Sequence, residues 1–404
     1  MKVSIVGQGY VGLTLAINAA LVGHKVNGYD SNSELIQRLS LGKTFIPGIN
    51  KDDILNMINN AKYFPTDNPA DIGESEVIVI AVPTPLDEYW KPDLTSLEQA
   101  AKMIAKYAKN NSLIINESTS YPGTLREFIK PIIESSSNHQ FMFASAPERI
   151  DPANISWDIS ITPRLISGIS HEAITKSFEF YSSICDKVTV VSSPEVAESA
   201  KLFENTFRQV NIALVNELSI ITNKMGISAH EVVEAAATKP FGFMPFYPSI
   251  GVGGHCIPVD PSYLSYKAEQ LGLKANFIDL ANQLNRDMPK KVAKKVQLEL
   301  NGSLKNKRIQ IAGVAYKSNV SDIRESPSLV LINELEQLGA EVSWFDPLVG
   351  SIGNQKSEPL DSQIDLGLIV SPHSNMDFSL WKNSGTKVLD LSANTTNYGW
   401  PKFL

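Results

Sequence analysis

The ten residues Gly251-Val252-Gly253-Gly254-His255-Cys256-Ile257-Pro258-Val259-Asp260 put a thiol beside a permissive backbone. Cys256 is one of two cysteines in 404 residues, and three glycines in four positions precede it. Without a Cβ, glycine lets a backbone approach a ligand closely or take positive φ. A thiol presented on such a loop is a nucleophile when cations or amide donors favour its thiolate. Free cysteine is also often a small core hydrophobe. That is the reading for Cys185, which has no such setting; the glycine loop argues against it for Cys256.

A thiolate has a task wherever an alcohol is oxidised beyond the aldehyde. It adds to the aldehyde as a thiohemiacetal, a second hydride leaves to give a thioester, and water releases a carboxylate. That chemistry needs a hydride acceptor, and the chain opens on one. The strand-like run Val3–Val6 leads into Gly7-Gln8-Gly9-Tyr10-Val11-Gly12, which opens a helix. Its spacing is the dinucleotide fingerprint in its proper context. Asp30 ends the second strand, where an acid binds the ribose hydroxyls. Ser31 and Asn32 follow it, with no arginine for a 2′-phosphate, so NAD is expected and not NADP.

The elements that position these groups follow from the pattern. Val3–Val6, Lys25–Tyr29, Glu76–Val82, Leu113–Asn116 and Phe141–Ala144 read as buried strands alternating with helices, which implies a parallel sheet covered on both faces. Polar loops follow three strand ends: Pro83-Thr84-Pro85, Glu117-Ser118-Thr119 with Pro122-Gly123-Thr124, and Pro147-Glu148-Arg149-Ile150-Asp151-Pro152. Ligands lie outside such strand ends. A long helix then runs to Gly226, its start marked by Ser192, Pro194 and Glu195. At roughly 45 Å it can span between domains. Lys201, Asn205 and Arg208 share one of its faces, and Val210–Ile221 is apolar nearly all round, as in a helix buried between subunits or domains. Phe241–Pro248 is rich in aromatics and prolines and leads into the cysteine loop. One helical region is read from about 261 to 300. The last hundred residues restart the strand–helix alternation without a glycine fingerprint, and their first strand ends in a charged loop from Ala315 to Pro327. The expected fold is α/β, with two doubly wound Rossmann-like domains joined by a long central helix and a helical region. The expected divisions are 1–191, 192–302 and 303–404.

Composition narrows the classes. Hydrophobic residues make up 43% and charged residues 20%, and the net charge is −7 with no long run of either sign. A nucleic-acid face or an anionic-membrane face is not expected. No signal peptide and no run long enough to span a bilayer are read, and two distant cysteines make no disulfide framework. A cytoplasmic setting is expected. No metal-ligand constellation is seen.

These motifs, in this order, resemble the UDP-glucose/UDP-mannuronate dehydrogenase family, the nucleotide-sugar 6-dehydrogenases, over essentially the whole chain. The resemblance implies an NAD domain, a central region that forms a homodimer, and a C-terminal UDP-binding domain. It implies Cys256 as thioester nucleophile, Lys201 and Asn205 as oxyanion stabilisers, and Asp260 as an acid/base group. Thr119 and Glu148 manage the hydrolytic water. Gly7, Gly9, Tyr10, Val11, Gly12, Asp30, Pro83, Thr84, Ser118, Thr119 and Arg324 would line the NAD site. Glu148, Arg149, Lys201, Asn205, Arg208, Phe246, Tyr247, Gly253, Gly254, Lys317 and Arg324 would meet the UDP-sugar.

His255 and Val259 resemble the branch acting on UDP-N-acetylhexosamines, and the stretch 147–152 resembles its UDP-N-acetylglucosamine members, serving surface polysaccharides such as O-antigen or capsule. UDP-N-acetylmannosamine and then UDP-glucose are the alternatives. Two rival readings differ in kind. A two-electron dehydrogenase needs no cysteine, and a nucleotide-sugar sensor needs no turnover.

Overall fold

The computed structural model describes the chain apart from residues 45, 47, 151–156 and 401 and the side chain at 396. The chain divides into two compact units. One comprises Met1–Glu204 with Tyr266–Leu273, the other Asn205–Ser265 with Lys274–Leu404. The stretch 192–302 is therefore shared between them.

The first unit is built on eight strands: β1 (Lys2–Val6), β2 (Lys25–Tyr29), β3 (Tyr63–Thr66), β4 (Val77–Ile80), β5 (Leu113–Asn116), β6 (Met142–Ser145), β7 (Arg164–Gly168) and β8 (Val188–Val190). Their order is β3-β2-β1-β4-β5-β6-β7-β8. The strands read from sequence fall here within a residue or two at each end, while β3 and β7 were not foreseen. β7 also corrects the expected all-parallel sheet, since it pairs antiparallel with β6 and parallel with β8. Val77-Ile78-Val79-Ile80 is buried on both faces, as a central parallel strand requires. Val77 and Val79 join a core with Leu13, Leu15 and Ala16 of the helix Tyr10–Leu21. Ile78 and Ile80 join the opposite core with Leu97, Ala101 and Ile104 of the helix Thr95–Tyr107. The period of two along the strand thus fixes the strand ends between two helical layers.

The second unit holds β9 (Arg308–Ala312), β10 (Glu341–Phe345), a short hairpin of β11 (Ser351–Ile352) and β12 (Gln355–Lys356), β13 (Leu366–Ile369) and β14 (Val388–Asp390). The parallel sheet runs β10-β9-β13-β14. Met288, Val292 and Val296 of the helix Asn276–Glu299 and Leu331 and Leu335 of the helix Pro327–Gln337 pack on Ile309 and Ile311.

The long helix is Pro194–Lys224, 31 residues. Ser193, not Ser192, caps it: its hydroxyl accepts the Val196 amide at 3.4 Å, because Pro194 occupies the first turn. The region expected to be one helix from 261 to 300 is two, Asp260–Gln270 and Asn276–Glu299, separated at Gly272. Among the described residues no helix is long and apolar enough to cross a membrane.

Candidate active site

In the first unit the glycine turn closes between β1 and the helix Tyr10–Leu21. A Cβ on Gly7 would lie 2.5 Å from the Ala81 carbonyl oxygen, and one on Gly12 would lie 1.8 Å from that of Gly7. These two glycines let strand, turn and helix touch. Gly9 differs, since a Cβ there would meet nothing within 4 Å. It is the N-cap and has no side chain of its own to cap the helix. The N-terminal amides of a helix beside an open glycine fit an anionic pyrophosphate. The Asp30 carboxylate accepts the Gln8 amide at 2.8 Å and the Asn32 amide at 2.9 Å. That fixes it beside the turn, partly open, where a ribose diol would meet it. The donor set therefore fits NAD: Gly7–Gly12 would hold the pyrophosphate and Asp30 the ribose.

The adjoining strand ends are tied together. The Thr84 hydroxyl donates to the Thr119 carbonyl at 2.6 Å, and Ser118 to the Val82 carbonyl at 2.8 Å. Pro83 is exposed beside them.

Glu148 is buried after β6. One of its oxygens accepts the amides of Arg149 at 2.5 Å and Ile150 at 2.6 Å, and the other accepts Nη2 of Arg164 at 2.7 Å. Burial alone would raise its pKa. The Arg164 charge, the Ile150 amide and the charge of Lys201 outweigh that and hold it below the usual carboxylate range. Lys201 is itself buried. Arg149 turns its guanidinium to Glu204, at 2.6 Å, and to the Pro163 carbonyl at 2.8 Å. Asp151 and Pro152, the end of the expected loop motif, lie outside the described residues.

In the second unit the cysteine loop packs on the charged loop after β9. The Gly254 amide donates to the Arg324 carbonyl at 3.0 Å. A Cβ on Gly253 would lie 2.8 Å from the Tyr316 Cβ, and one on Gly254 would lie 2.8 Å from its ring, so these glycines admit that tyrosine. Cys256 is exposed, whereas Cys185 is buried in the first unit. The Cys256 carbonyl accepts the amides of Val259 at 3.2 Å and Asp260 at 2.8 Å, which starts the helix Asp260–Gln270. The buried Asp260 carboxylate accepts Nδ2 of Asn205 at 2.5 Å. The Arg324 guanidinium grips Asp322 with bonds of 2.6 to 3.0 Å. That bond, against burial, and then the charges of Asp322 and Cys256 hold Arg324 above the usual arginine range. Burial and then the Arg324 charge hold His255 below the usual histidine range. Asn205, Asp260, Cys256, Gly253, Gly254 and Arg324 are thus brought into one neighbourhood.

Other expected substrate residues of this unit lie in different settings. Phe246 packs edge-on against Phe207, with ring centroids 5.9 Å apart. Tyr247 stacks on His230 at 5.6 Å. Arg208 is exposed on the long helix and Lys317 is half-buried.

Sequence reasoning missed two buried groups here. Glu198 accepts the amides of Gly123 at 2.7 Å and Leu125 at 3.2 Å. Its position three before Lys201 on the same helix was the available signal. Asp346 ends β10, the place Asp30 holds after β2. It accepts the amides of Val314, Ala315, Leu348 and Val349 and faces Nε2 of His373 at 2.9 Å. Nδ1 of His373 accepts the Asn319 amide at 2.7 Å, so Nε2 is the donor to Asp346. The acid at this second strand end is spent on holding the loop that carries Lys317.

A dinucleotide turn in one unit and, in the other, a thiol loop packed on the loop that follows β9 define a dehydrogenase of the NAD-linked kind. Three family models match in order: the NAD binding domain of the UDP-glucose/GDP-mannose dehydrogenase family over residues 1–185, its central domain over 195–287 and its UDP binding domain over 310–381. The chain belongs to the UDP-glucose/GDP-mannose dehydrogenase family, and its cofactor is NAD. It is 37% identical over 361 residues to a UDP-N-acetyl-D-glucosamine 6-dehydrogenase of Pseudomonas aeruginosa, covering 87% of this chain and 84% of that one. It is 32% identical over 398 residues to a UDP-N-acetyl-D-mannosamine dehydrogenase of Pyrococcus horikoshii, covering 95% and 92%. A solved structure described as the UDP-D-ManNAc dehydrogenase of Pyrococcus horikoshii superposes with a TM-score of 0.87 at 30% identity, covering 96% and 95%.

Proposed function

We propose that this protein oxidises the C6 hydroxymethyl of a UDP-N-acetylhexosamine, UDP-N-acetylglucosamine in the first place, to the carboxylate in a four-electron reaction. The observation that carries this reading is the exposed thiol of Cys256 on a glycine loop beside Arg324. A two-electron dehydrogenase has no use for it. Residues 1–191 serve NAD, 192–302 carry the cysteine loop and the dimer contacts, and 303–404 serve the UDP-sugar.

Hydride acceptance at C6 is the chemistry a bound NAD supplies, once in each oxidation. Gly7, Gly9, Tyr10, Val11, Gly12 and Asp30 hold it, with Pro83, Thr84, Ser118, Thr119 and Arg324. Asp260, with Lys201 or through a water, takes the proton from the C6 hydroxyl. The Cys256 sulfur then forms a bond to the aldehyde carbon, and the carbonyl electron pair moves onto oxygen. Lys201 and Asn205 stabilise that oxyanion, where a single donor is worth about 3 kcal/mol. Loss of hydride leaves the thioester. Glu148 and Thr119 position the water that attacks it, the C–S bond breaks, and the thiolate leaves. Arg149, Arg208, Phe246, Tyr247, Gly253, Gly254 and Lys317 bind the nucleotide-sugar. The uronate product suits assembly of a surface polysaccharide.

The sugar assignment draws support from His255, Val259 and the sequence of residues 147–152, and from the Pseudomonas aeruginosa relative. The Pyrococcus horikoshii protein and structure favour UDP-N-acetylmannosamine as a second reading. NADH formed per sugar consumed, measured with UDP-N-acetylglucosamine, UDP-N-acetylmannosamine, UDP-glucose and UDP-galactose, tests both. Two NADH per UDP-N-acetylglucosamine supports the proposal. One NADH with an aldehyde product overturns the four-electron reaction, and preference for another sugar overturns the substrate. Cys256→Ser should stop turnover to the carboxylate, lowering its rate by about a thousandfold or more.

A further inference from the structure

Behind Glu148 lies a buried cluster that the mechanism above does not use. Arg164, from β7, is almost fully buried and lies between two carboxylates. Its Nη2 donates to Glu148 at 2.7 Å, and its Nη1 lies 3.3 Å from Oε1 of Glu117 at the end of β5. The Tyr181 hydroxyl, from the helix His171–Ser182, donates to the same Glu117 oxygen at 2.5 Å. The Arg164 guanidinium also lies over the Tyr181 ring, 5.1 Å from its centroid. Oε2 of Glu117 is buried and has no hydrogen-bond partner among the described residues.

Two buried carboxylates sharing one guanidinium leave a surplus negative charge if both ionise, and that state is costly away from water. The two acids are not equivalent. Glu148 has two backbone amides as well as Arg164 and also feels the charge of Lys201. Glu117 has only one oxygen engaged, and it faces Arg164, Glu148, Tyr181 and the buried Cys185. Burial first, partly opposed by Arg164 and reinforced by Glu148, raises Glu117 above the usual carboxylate range. A retained proton therefore belongs on Glu117.

We propose that Arg164, itself held by Glu117 and Tyr181, is the positioning residue that fixes both the direction and the charge of the Glu148 carboxylate. The inference rests on the reading of Glu148 as a group of the reaction. β7 enters the sheet in the opposite sense to β6, and its first residue brings the guanidinium between the ends of β5 and β6. The geometry is a fork aimed at Glu148, gripped from behind by Glu117.

The test is the pH profile of kcat/KM for NADH formation by the full-length protein. It uses UDP-N-acetylglucosamine and UDP-N-acetylmannosamine, with melting temperature recorded for every variant. In Arg164→Met, Glu148 loses its cation, so the acidic limb should move up by about one pH unit. In Glu117→Gln, a neutral side chain replaces one that already holds its proton where Glu148 titrates, so the same limb should stay in place. Arg164→Lys should restore the position of the limb toward wild type without restoring the full rate, since an ammonium supplies the charge but not the fork. An upward shift in Arg164→Met with an unmoved limb in Glu117→Gln supports the inference. If Arg164→Met fails to fold, Arg164→Gln, which keeps a donor without the charge, takes its place and should move the limb up likewise. Loss of rate with an unmoved limb in Arg164→Met or Arg164→Gln means a merely structural cluster and overturns the inference. Glu148→Gln separates the two claims: full activity there overturns the role given to Glu148 itself.

Discussion

Asn205 donates through Nδ2 to the Asp260 carboxylate at 2.5 Å, joining the long helix to the helix that starts just after Cys256. The bond sets which way the Asn205 amide points, and it supplies Asp260 with a neutral donor. An oxyanion stabiliser contributes only if it is oriented before charge develops. Asn205→Ala should therefore lower kcat by about a hundredfold or more, with KM little changed. Asp260→Asn should lower it as well, because the amide in its place cannot take a proton from the substrate. Steady-state kinetics of the two variants and of the double variant check this. A double variant no worse than the poorer single one marks coupled residues. An unchanged kcat in Asn205→Ala would sink the assignment.

The glycines of the first turn should separate binding from folding. Gly9 faces open space, and Gly12 faces a carbonyl at a distance no Cβ can occupy. Gly9→Ala should keep the melting temperature near wild type and weaken NAD binding about tenfold or more. Gly12→Ala should lower the melting temperature or prevent folding. Calorimetric titration with NAD, alongside thermal melts, reads both. Equal affinity in Gly9→Ala would show that the turn does not approach the cofactor.

Glu198 gives a stability prediction with a definite sign. Burial, opposed by the amides of Gly123 and Leu125, pushes its carboxyl up to about 8. In the unfolded chain it ionises near the ordinary glutamate value, about 4.3. Its contribution to stability is therefore fully present below that value and is lost as pH rises toward 8. Glu198→Gln cannot ionise. Its melting temperature relative to wild type should rise between pH 5 and pH 8 and level off above that. A difference that is flat across that range would mean that Glu198 is ionised in the fold.

Much of this was legible because it is local. Gly7, Gly9, Gly12 and Asp30 obey spacing rules within one strand–helix–strand segment, and those rules follow from backbone geometry alone. Val77–Ile80 reads as a central strand because both faces are apolar. Arg164–Gly168 did not read as a strand: it begins with a charge, ends in Ser-Gly and follows Pro163. Its burial depends on Glu117 and Glu148, which are distant in sequence. Residue types at the site were legible, but pairings such as Asn205 with Asp260 were not. Tyr247 is taken to lie along the nucleotide, and its stacking on His230 was not legible. An aromatic side chain announces that it packs and does not announce on what.

The long helix predicts the assembly. Phe207, Leu214 and Ile221 recur every seven residues, and all three are exposed, Leu214 at 60% and Ile221 at 53%. A heptad spacing keeps them on one stripe of the helix. Ala213 and Val215, on either side of Leu214, are buried. An exposed apolar stripe beside a packed face favours association, and a second copy of the chain offers the same stripe for a two-fold contact. The protein should therefore sediment as a homodimer at micromolar concentration. Leu214→Glu combined with Ile221→Glu should shift it to the monomer, because two carboxylates from each copy would meet without partners. Analytical ultracentrifugation over a concentration series measures this. A wild-type protein that stays monomeric at the highest concentration, or a doubly charged variant that remains a dimer, would place the contact elsewhere.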